Sequence, residues 1–138
     1  MAGRHLIKSW SSTQKSITLS SGEAELIAAV KVCTEVLGVV QLAHDWGIEL
    51  MGKIYVDSAA AVGTANRRGN GRLRHVRIGD MWIQEKVEEG EVEVTKVWGE
   101  ENPADLLTKY LSSLKIREHM ARLKQEFREG RAATSLKV

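Results

Sequence analysis

The chain has 138 residues, enough for one domain with an ordinary hydrophobic core. Hydrophobic residues make up 43% and charged residues 28% of it, which excludes a disordered chain and is typical of a soluble globular protein. The formal net charge of +2 says little by itself about nucleic-acid binding. The single cysteine, Cys33, cannot form an internal disulfide, so we expect a reducing environment.

The amino terminus bears on where the protein is found. Residues 1–10 include basic side chains but no continuous apolar region, so we expect no secretory signal. We find no apolar run of the roughly 20 residues that a membrane span needs, and we expect no membrane partner. The sequence therefore predicts an intracellular protein, cytoplasmic or nuclear.

In chain order, the hydrophobic pattern first predicts a strand and a long helix. Residues 6–11 alternate as in a short strand, and 16–19 would extend it or pair nearby. Ser20 and Glu23 have the spacing of a capping box, which predicts a helix that runs to Gly47 and is buried over much of its circumference.

The rest of the chain alternates strands with helices. The predicted elements are a strand over 53–56 ending in Asp57, a helix over 58–65, a loop over 66–73, a helix over 75–89 that Gly90 ends, a strand over 91–98, a helix starting at Pro103 and a last amphipathic helix up to Phe127. This order predicts an α/β fold with parallel pairing of the strands around Ile54 and Val94. We expect one domain over 1–129 and a flexible tail over 130–138.

Three carboxylates fall where such folds place their ligand sites: Glu25, Asp57 and Asp105. Each has an ordinary alternative explanation, because acids stabilise the first turn of a helix and Asp57 could cap the helix that follows it. Together, three converging carboxylates would repel one another unless they shared a cation. Hard oxygen ligands select Mg²⁺ or Mn²⁺, so the acids predict a candidate metal-dependent phosphoryl-transfer site.

The segment after the short helix is basic and contains no acid between residues 66 and 79. Its candidate nucleic-acid-binding residues are Arg67, Arg68, Arg72, Arg74 and His75. Such a loop could track phosphates, and a solvated basic loop is an equal alternative.

The tryptophans are the other candidates for contact with nucleic acid. They are Trp10, Trp46, Trp82 and Trp98. We expect them to pack in the core or at its edge rather than to stack on bases.

Six motifs in series give the chain a family resemblance. They are SWSSTQK (9–15), LSSGEAEL (19–26), YVDS (55–58), RHV (74–76), IQEKV (83–87) and NPADLLTK (102–109). Each motif is weak alone, but in this order and spacing the chain, from about residue 7 to 127, resembles the ribonuclease H domain of copia-type retrotransposon polyproteins.

The resemblance implies a ribonuclease H-like fold, in which helices flank a five-stranded mixed sheet. It matches Glu25 to the acid on the first helix, Asp57 to the acid ending the fourth strand, and Asp105 to the acid near the last catalytic helix. It also implies two Mg²⁺ (or Mn²⁺) ions, an activated water and an RNA–DNA hybrid as substrate, of which the RNA strand is hydrolysed.

The sequence departs from the family pattern in two places. The family's first aspartate has no counterpart, because the chain starts at what matches the third strand and lacks the first two. The usual Lys-His-Ile-Asp run is Arg74-His75-Val76-Arg77 here. An open sheet edge invites pairing, so we expect either a homodimer or an upstream polyprotein segment to complete the sheet.

Three functions follow from these observations. The first is a metal-dependent endoribonuclease acting on RNA–DNA hybrids, impaired by the missing aspartate. The second is a catalytically incomplete remnant that binds nucleic acid or another protein chain. The third is a structural role within a larger polyprotein.

Overall fold

The computed structural model describes residues 1, 6–14, 17–69, 71, 78–127 and 130. Their contacts form two compact units. One is Ser12–Asn102, and the other combines Met1–Ser11 with Pro103–Val138. The described residues form four α-helices and a two-stranded parallel sheet, so the chain is of the mixed α/β class that the sequence predicts.

Helix α1 (Ser21–Asp45) begins and ends where the sequence predicts. Ser20 Oγ accepts a hydrogen bond from the backbone N–H of Glu23 at 3.2 Å, and Glu23 Oε2 accepts one from the N–H of Leu19 at 2.8 Å. The first bond satisfies a donor that the first helical turn leaves without a partner, and the second fixes the chain just before the helix. At the other end, Gly47 adopts a φ of 75°, a conformation that favours glycine.

The amino-terminal part of α1 is the part that packs into the core. Leu26 and Cys33 are completely buried, while Leu42 is 49% exposed near the carboxyl end. The expectation of a helix buried over much of its circumference therefore holds as far as Cys33 and is wrong beyond it, where Ala43 is the one buried residue of α1. The helix continues past the sheet that it covers, because its apolar residues recur beyond the sheet's two short strands.

The expectation that the chain contains no apolar run of membrane-spanning length is wrong. Helix α1 is, by length and composition, long and apolar enough to cross a membrane. From Leu26 to His44 its only charged side chains are Lys31 and Glu35, which is why the run passes that test. In this structure 28% of that apolar window is buried, and Leu26 and Cys33 belong to the core that α1 forms with the sheet.

The sheet pairs the two strands that the sequence expected to be parallel. Strand β1 (Gly52–Val56) and strand β2 (Val92–Lys96) are parallel, with Ile54 opposite Val94. Their side chains alternate between buried and more exposed positions, and the buried ones join the core with α1. The carboxyl ends of both strands therefore lie at one edge of the sheet.

Two further helices belong to this unit. Helix α2 (Ala59–Ala65) follows β1, and Ser58 Oγ caps it by accepting from the N–H of Ala61 at 3.3 Å. Helix α3 (Trp82–Glu88) follows a 3₁₀ turn, Ile78–Met81, and Gly90 follows it with a φ of 76°. The predicted helix is thereby confirmed over its described part; residues 75–77 lie outside the described residues.

The strand expected at the amino terminus is not formed. The described residues between 6 and 19 contain no strand, and 15–16 lie outside the description. A strand needs a neighbour that satisfies its backbone N–H and C=O groups, and alternation of side chains alone does not supply one.

The second unit contains a 3₁₀ helix, Pro103–Leu107, and helix α4 (Ser113–Arg122). The predicted start at Pro103 is correct, but that turn is a 3₁₀ helix. Helix α4 ends five residues before Phe127, and Lys124, with a φ of 57°, lies just beyond its end. The expected tail, apart from Gly130, lies outside the described residues.

Candidate metal and nucleic-acid site

Asp57 lies directly after β1, at the edge where the carboxyl ends of the strands meet. The capping role that it could have had belongs to Ser58, whose hydroxyl accepts the hydrogen bond from Ala61. The residue is half-buried, and a Cβ atom placed on Gly99, after β2, would lie 4.0 Å from Asp57 Oδ2. The carboxylate therefore sits beside the turn that follows β2.

Glu25 lies one turn into α1, and the acid of the first turn is Glu23. Glu25 thus lies beyond the first turn, where the interaction of an acid with the helix dipole falls off. A Cβ on Gly22 would lie 3.1 Å from the Cβ of Ala60, so the starts of α1 and α2 approach each other closely. This approach brings the segments that carry Glu25 and Asp57 to the same edge of the sheet.

Asp105 lies in the other compact unit, on the 3₁₀ helix. Its side chain is 13% exposed, and both carboxylate oxygens lie 3.0 Å from Lys109 Nζ, four residues later. This local ion pair is an ordinary role for the carboxylate. The pair would have to open, or to be shared, if Asp105 also held a cation.

The arrangement of these acids determines what the described part of the chain can bind by itself. Among the described residues, no group of three or more His, Cys, Asp or Glu side chains could hold a metal ion. Glu25 and Asp57 share one edge of the sheet within one unit, and Asp105 belongs to the other unit. The assignment of the three acids as metal ligands therefore stays a prediction.

Two of the five candidate nucleic-acid-binding residues, Arg67 and Arg68, lie in the described loop after α2. Arg72, Arg74 and His75 lie outside the described residues. The guanidinium of Arg67 lies against Gly71: a Cβ there would be 2.6 Å from Arg67 Cζ, and Gly71 has a φ of 54°. The loop conformation that presents these arginines therefore favours glycine at this position.

Gln84, on α3, holds this loop by hydrogen bonds to its backbone. Its Nε2 donates to the carbonyl of Thr64 at 2.8 Å and to that of Gly69 at 3.1 Å, while Oε1 accepts from the N–H of Gly69 at 2.9 Å. The sequence analysis missed this role. No local signal marks it, because both partners are backbone groups at least fifteen residues away along the chain.

Arg68 is held by a carboxylate of α3. Its Nε donates to Glu88 Oε2 at 3.0 Å, and Nη2 of the same guanidinium contacts the other carboxylate oxygen. Beside this bidentate pair is an open cleft of about 240 Å³, bordered also by Arg67 and Gln84. A phosphate entering the cleft would compete with Glu88 for Arg68.

Three known proteins are similar to the chain over most of its length. No protein-family model matches it, and no solved structure matches it. It is 35% identical over 104 residues to the retrovirus-related Pol polyprotein from transposon TNT 1-94 of Nicotiana tabacum, a match that covers 73% of the chain. It is also 34% and 35% identical over 114 residues, 80% of the chain, to the Pol polyproteins from transposons RE2 and RE1 of Arabidopsis thaliana.

Its homologues are Pol polyproteins of plant copia-type transposons. The matches cover about 8% of the length of each of these polyproteins. The chain therefore corresponds to a small region of a retroelement Pol polyprotein, and the activities of the whole polyproteins do not transfer to it directly.

Proposed function

We propose that this Pol region is the greater part of a ribonuclease H-like domain, which hydrolyses the RNA strand of RNA–DNA hybrids with divalent metal ions. The observation that carries the proposal is the shared position of Glu25 and Asp57 at the carboxyl edge of a parallel sheet. Ser58, and not Asp57, caps α2, and Glu25 lies beyond the first turn of α1, where the helix dipole has less effect.

The chemistry of the donors is suited to the ions that the proposal requires. Carboxylate oxygens are ligands that Mg²⁺ and Mn²⁺ prefer, so Glu25 and Asp57 would ligate metal and Asp105 would help to hold the second ion. When bound, such ions supply an activated water and stabilise the oxygens of the phosphodiester. The number of donors is smaller than a closed site needs, since the described residues contain no group of three.

A complete metal site would therefore need a further ligand besides these three acids. The family resemblance places a further aspartate on a strand next to β1, for which this sequence has no counterpart. Among the described residues β1 has a hydrogen-bonded neighbour on one side, which is β2. An upstream segment of the polyprotein, or a second copy of the chain, would pair with the other side.

Arginines in the loop after α2 would bind the substrate. Helix α2 has seven residues, so its far end lies about 10 Å from its start beside Asp57. At about 3.4 Å of rise per nucleotide, this length corresponds to roughly three nucleotides along a strand. Arg67 and Arg68 would thus contact phosphates a few nucleotides from the one that Asp57 faces.

A cleavage assay tests the proposal. The chain is incubated with a labelled RNA–DNA hybrid and Mg²⁺ or Mn²⁺, alone and with the upstream polyprotein segment added. We expect Asp57→Asn to lower cleavage by about 100-fold, as expected when a preorganised charge is removed from a reaction centre. Asp45→Asn, the same change at the far end of α1, is the matched control. Cleavage that persists unchanged in Asp57→Asn would contradict the assigned site.

A second candidate function is a remnant that binds nucleic acid without cleaving it. The observation that favours it is the lack of a three-donor group among the described residues. Salt-sensitive binding of the hybrid, without cleavage under any of the conditions above, would support this candidate over the first.

A further inference from the structure

Trp98 is largely exposed to solvent and lies in the segment beside the candidate site. It follows β2, with 72% of its surface exposed, and does not pack in the core as the sequence analysis expected. Its neighbour Val97 donates its N–H to the carbonyl of Val56 at 3.0 Å, and Gly99, on its other side, lies beside Asp57. The backbone of Trp98 is thereby held at the carboxyl edge of the sheet, in the segment that passes Asp57.

A cation accompanies this ring. Lys96 Nζ lies 5.0 Å from the centroid of the Trp98 ring, within the range of a cation–π contact. Lys96 is the last residue of β2 and lies opposite Val56, the residue before Asp57. A positive charge therefore lies over an aromatic ring at the edge that carries the acids.

This combination suits one class of ligand better than others. A large exposed indole contributes little to the core, whereas nucleotide bases stack on aromatic side chains and phosphates pair with ammonium groups. Bases inside a duplex already stack on one another, so the ring can stack fully only on an unpaired or unstacked base. The geometry thus favours a single-stranded nucleotide over a paired one.

We propose that Trp98 and Lys96 form a stacking subsite for an unpaired nucleotide beside Asp57. The ring would stack on the base, and Lys96 would neutralise an adjacent phosphate. The inference rests on the proposed function, which brings nucleic acid to this edge. It adds that a substrate with a single-stranded extension binds more tightly than a blunt hybrid does.

A binding experiment without divalent cations tests the subsite separately from cleavage. A short single-stranded RNA is titrated against the full chain and its variants, with fluorescence anisotropy as the readout. We expect Trp98→Ala to weaken binding about 5- to 150-fold, the range for loss of one base–aromatic stack. Trp98→Phe should retain most of the affinity, because it keeps an aromatic face.

The chain offers a matched control in Trp46, which is also 72% exposed but follows α1, at the other end of that helix from Glu25. Trp46→Ala should leave RNA binding unchanged. Lys96→Gln should lower the slope of log affinity against log salt by about 0.7, the value for one phosphate contact on a single strand. Thermal melting of each variant shows that the fold is retained.

The two proposals fail in different ways. Absence of hybrid cleavage by the unmodified chain under every condition would overturn the proposed hydrolysis but not this subsite, because the binding assay contains no metal. Equal affinities for Trp98→Ala, Trp46→Ala and the unmodified chain would overturn the subsite, whatever the cleavage assay shows. An equal loss in both alanine variants would overturn it as well.

Discussion

Gly52, the first residue of β1, shows how a single residue sets the spacing between α1 and the sheet. A Cβ there would lie 2.6 Å from Val36 Cγ1 and 3.0 Å from Val92 Cγ1, inside the packed core. Helix α1 approaches the start of β1 this closely because glycine leaves the space free. The sequence pattern does not distinguish this glycine from those in turns.

Substitution at Gly52 tests this close approach. We expect Gly52→Ala to lower the free energy of unfolding by about 1–3 kcal/mol, because the added methyl group overpacks the core. The matched control is Gly38→Ala, inside α1, where a Cβ meets nothing within 4 Å. There we expect a gain of up to about 1 kcal/mol, since alanine favours helices. Urea denaturation measures both, and equal effects would contradict the packing argument.

The sequence explains the roles of the candidate acids to different extents. The sequence alone left Asp57 with a capping role that the structure assigns to Ser58. Both residues are good N-caps, and the backbone conformation at the strand end decides between them. Asp105, by contrast, has an ion-pair partner at Lys109 whose spacing of four residues is visible in the sequence.

At the scale of elements, the loop after α2 and helix α3 form one structure. Gln84 bonds the loop backbone, and Glu88 holds the guanidinium of Arg68. The positive charge of Arg68 is therefore already paired with the carboxylate of Glu88. Nucleic acid would have to displace that carboxylate.

Removal of the competing carboxylate should strengthen binding. We expect Glu88→Gln to raise the affinity for an RNA–DNA hybrid several-fold and to steepen its dependence on salt by about one phosphate contact. Glu93→Gln is the control, because Glu93 is a similarly exposed partner of Lys53 across the strands, with side-chain exposures of 50% for Glu88 and 45% for Glu93. Equal changes in both variants would indicate a general charge effect.

Three charged residues form a cluster at the turn between α3 and β2. Lys86 Nζ lies 2.7 Å from Glu89 Oε2 and 2.8 Å from Glu91 Oε1. Hydrogen bonds to these carboxylates raise the pKa of Lys86 above its ordinary 10.5, and the bond from Lys86 lowers the pKa of Glu89 below its ordinary 4.5. The cluster thus stabilises the fold within a defined range of pH.

The pH dependence of stability follows from these signs. The part due to Lys86 is fully present below pH 10.5 and is lost as the pH rises through its raised pKa; the part due to Glu89 is present above pH 4.5 and is lost as the pH falls through its lowered pKa. The difference in unfolding free energy between the unmodified chain and Lys86→Met should therefore be largest between these limits.

Denaturation at a series of pH values measures this difference. Lys115→Met is the comparison, because Lys115 pairs with one carboxylate, Glu118, at 3.1 Å. Lys115→Met should change the unfolding free energy less than Lys86→Met does. A difference for Lys86→Met that stays constant down to pH 2 would contradict the role of Glu89.

For the whole molecule, the small sheet and the exposed apolar residues predict association. Among the described residues each strand pairs on one side, which leaves unpaired backbone groups on the other. Tyr55, Met51 and Ile48, on β1 or just before it, are each at least 50% exposed. A second copy of the chain, or the rest of the polyprotein, would cover such a surface.

Size-exclusion chromatography with light scattering tests this prediction. We expect the isolated chain to form a dimer whose fraction rises with concentration. Tyr55→Lys, which places a charge at the exposed surface of β1, should shift the equilibrium towards monomer. A compact monomer at every concentration would exclude the homodimer and leave the upstream segment as the partner.

Although an amino-terminal strand was also expected that the described residues do not form, the sequence correctly predicted helices α1 to α3 and the parallel pairing of β1 with β2. These features follow from local periodicity, caps and turn glycines, which act over a few residues. It did not determine whether Asp57 or Ser58 caps α2, which carboxylate pairs with Arg68, or which tryptophans are exposed. Those depend on contacts between segments far apart in the chain, as between Gln84 and Gly69, and only the tertiary structure brings such segments together.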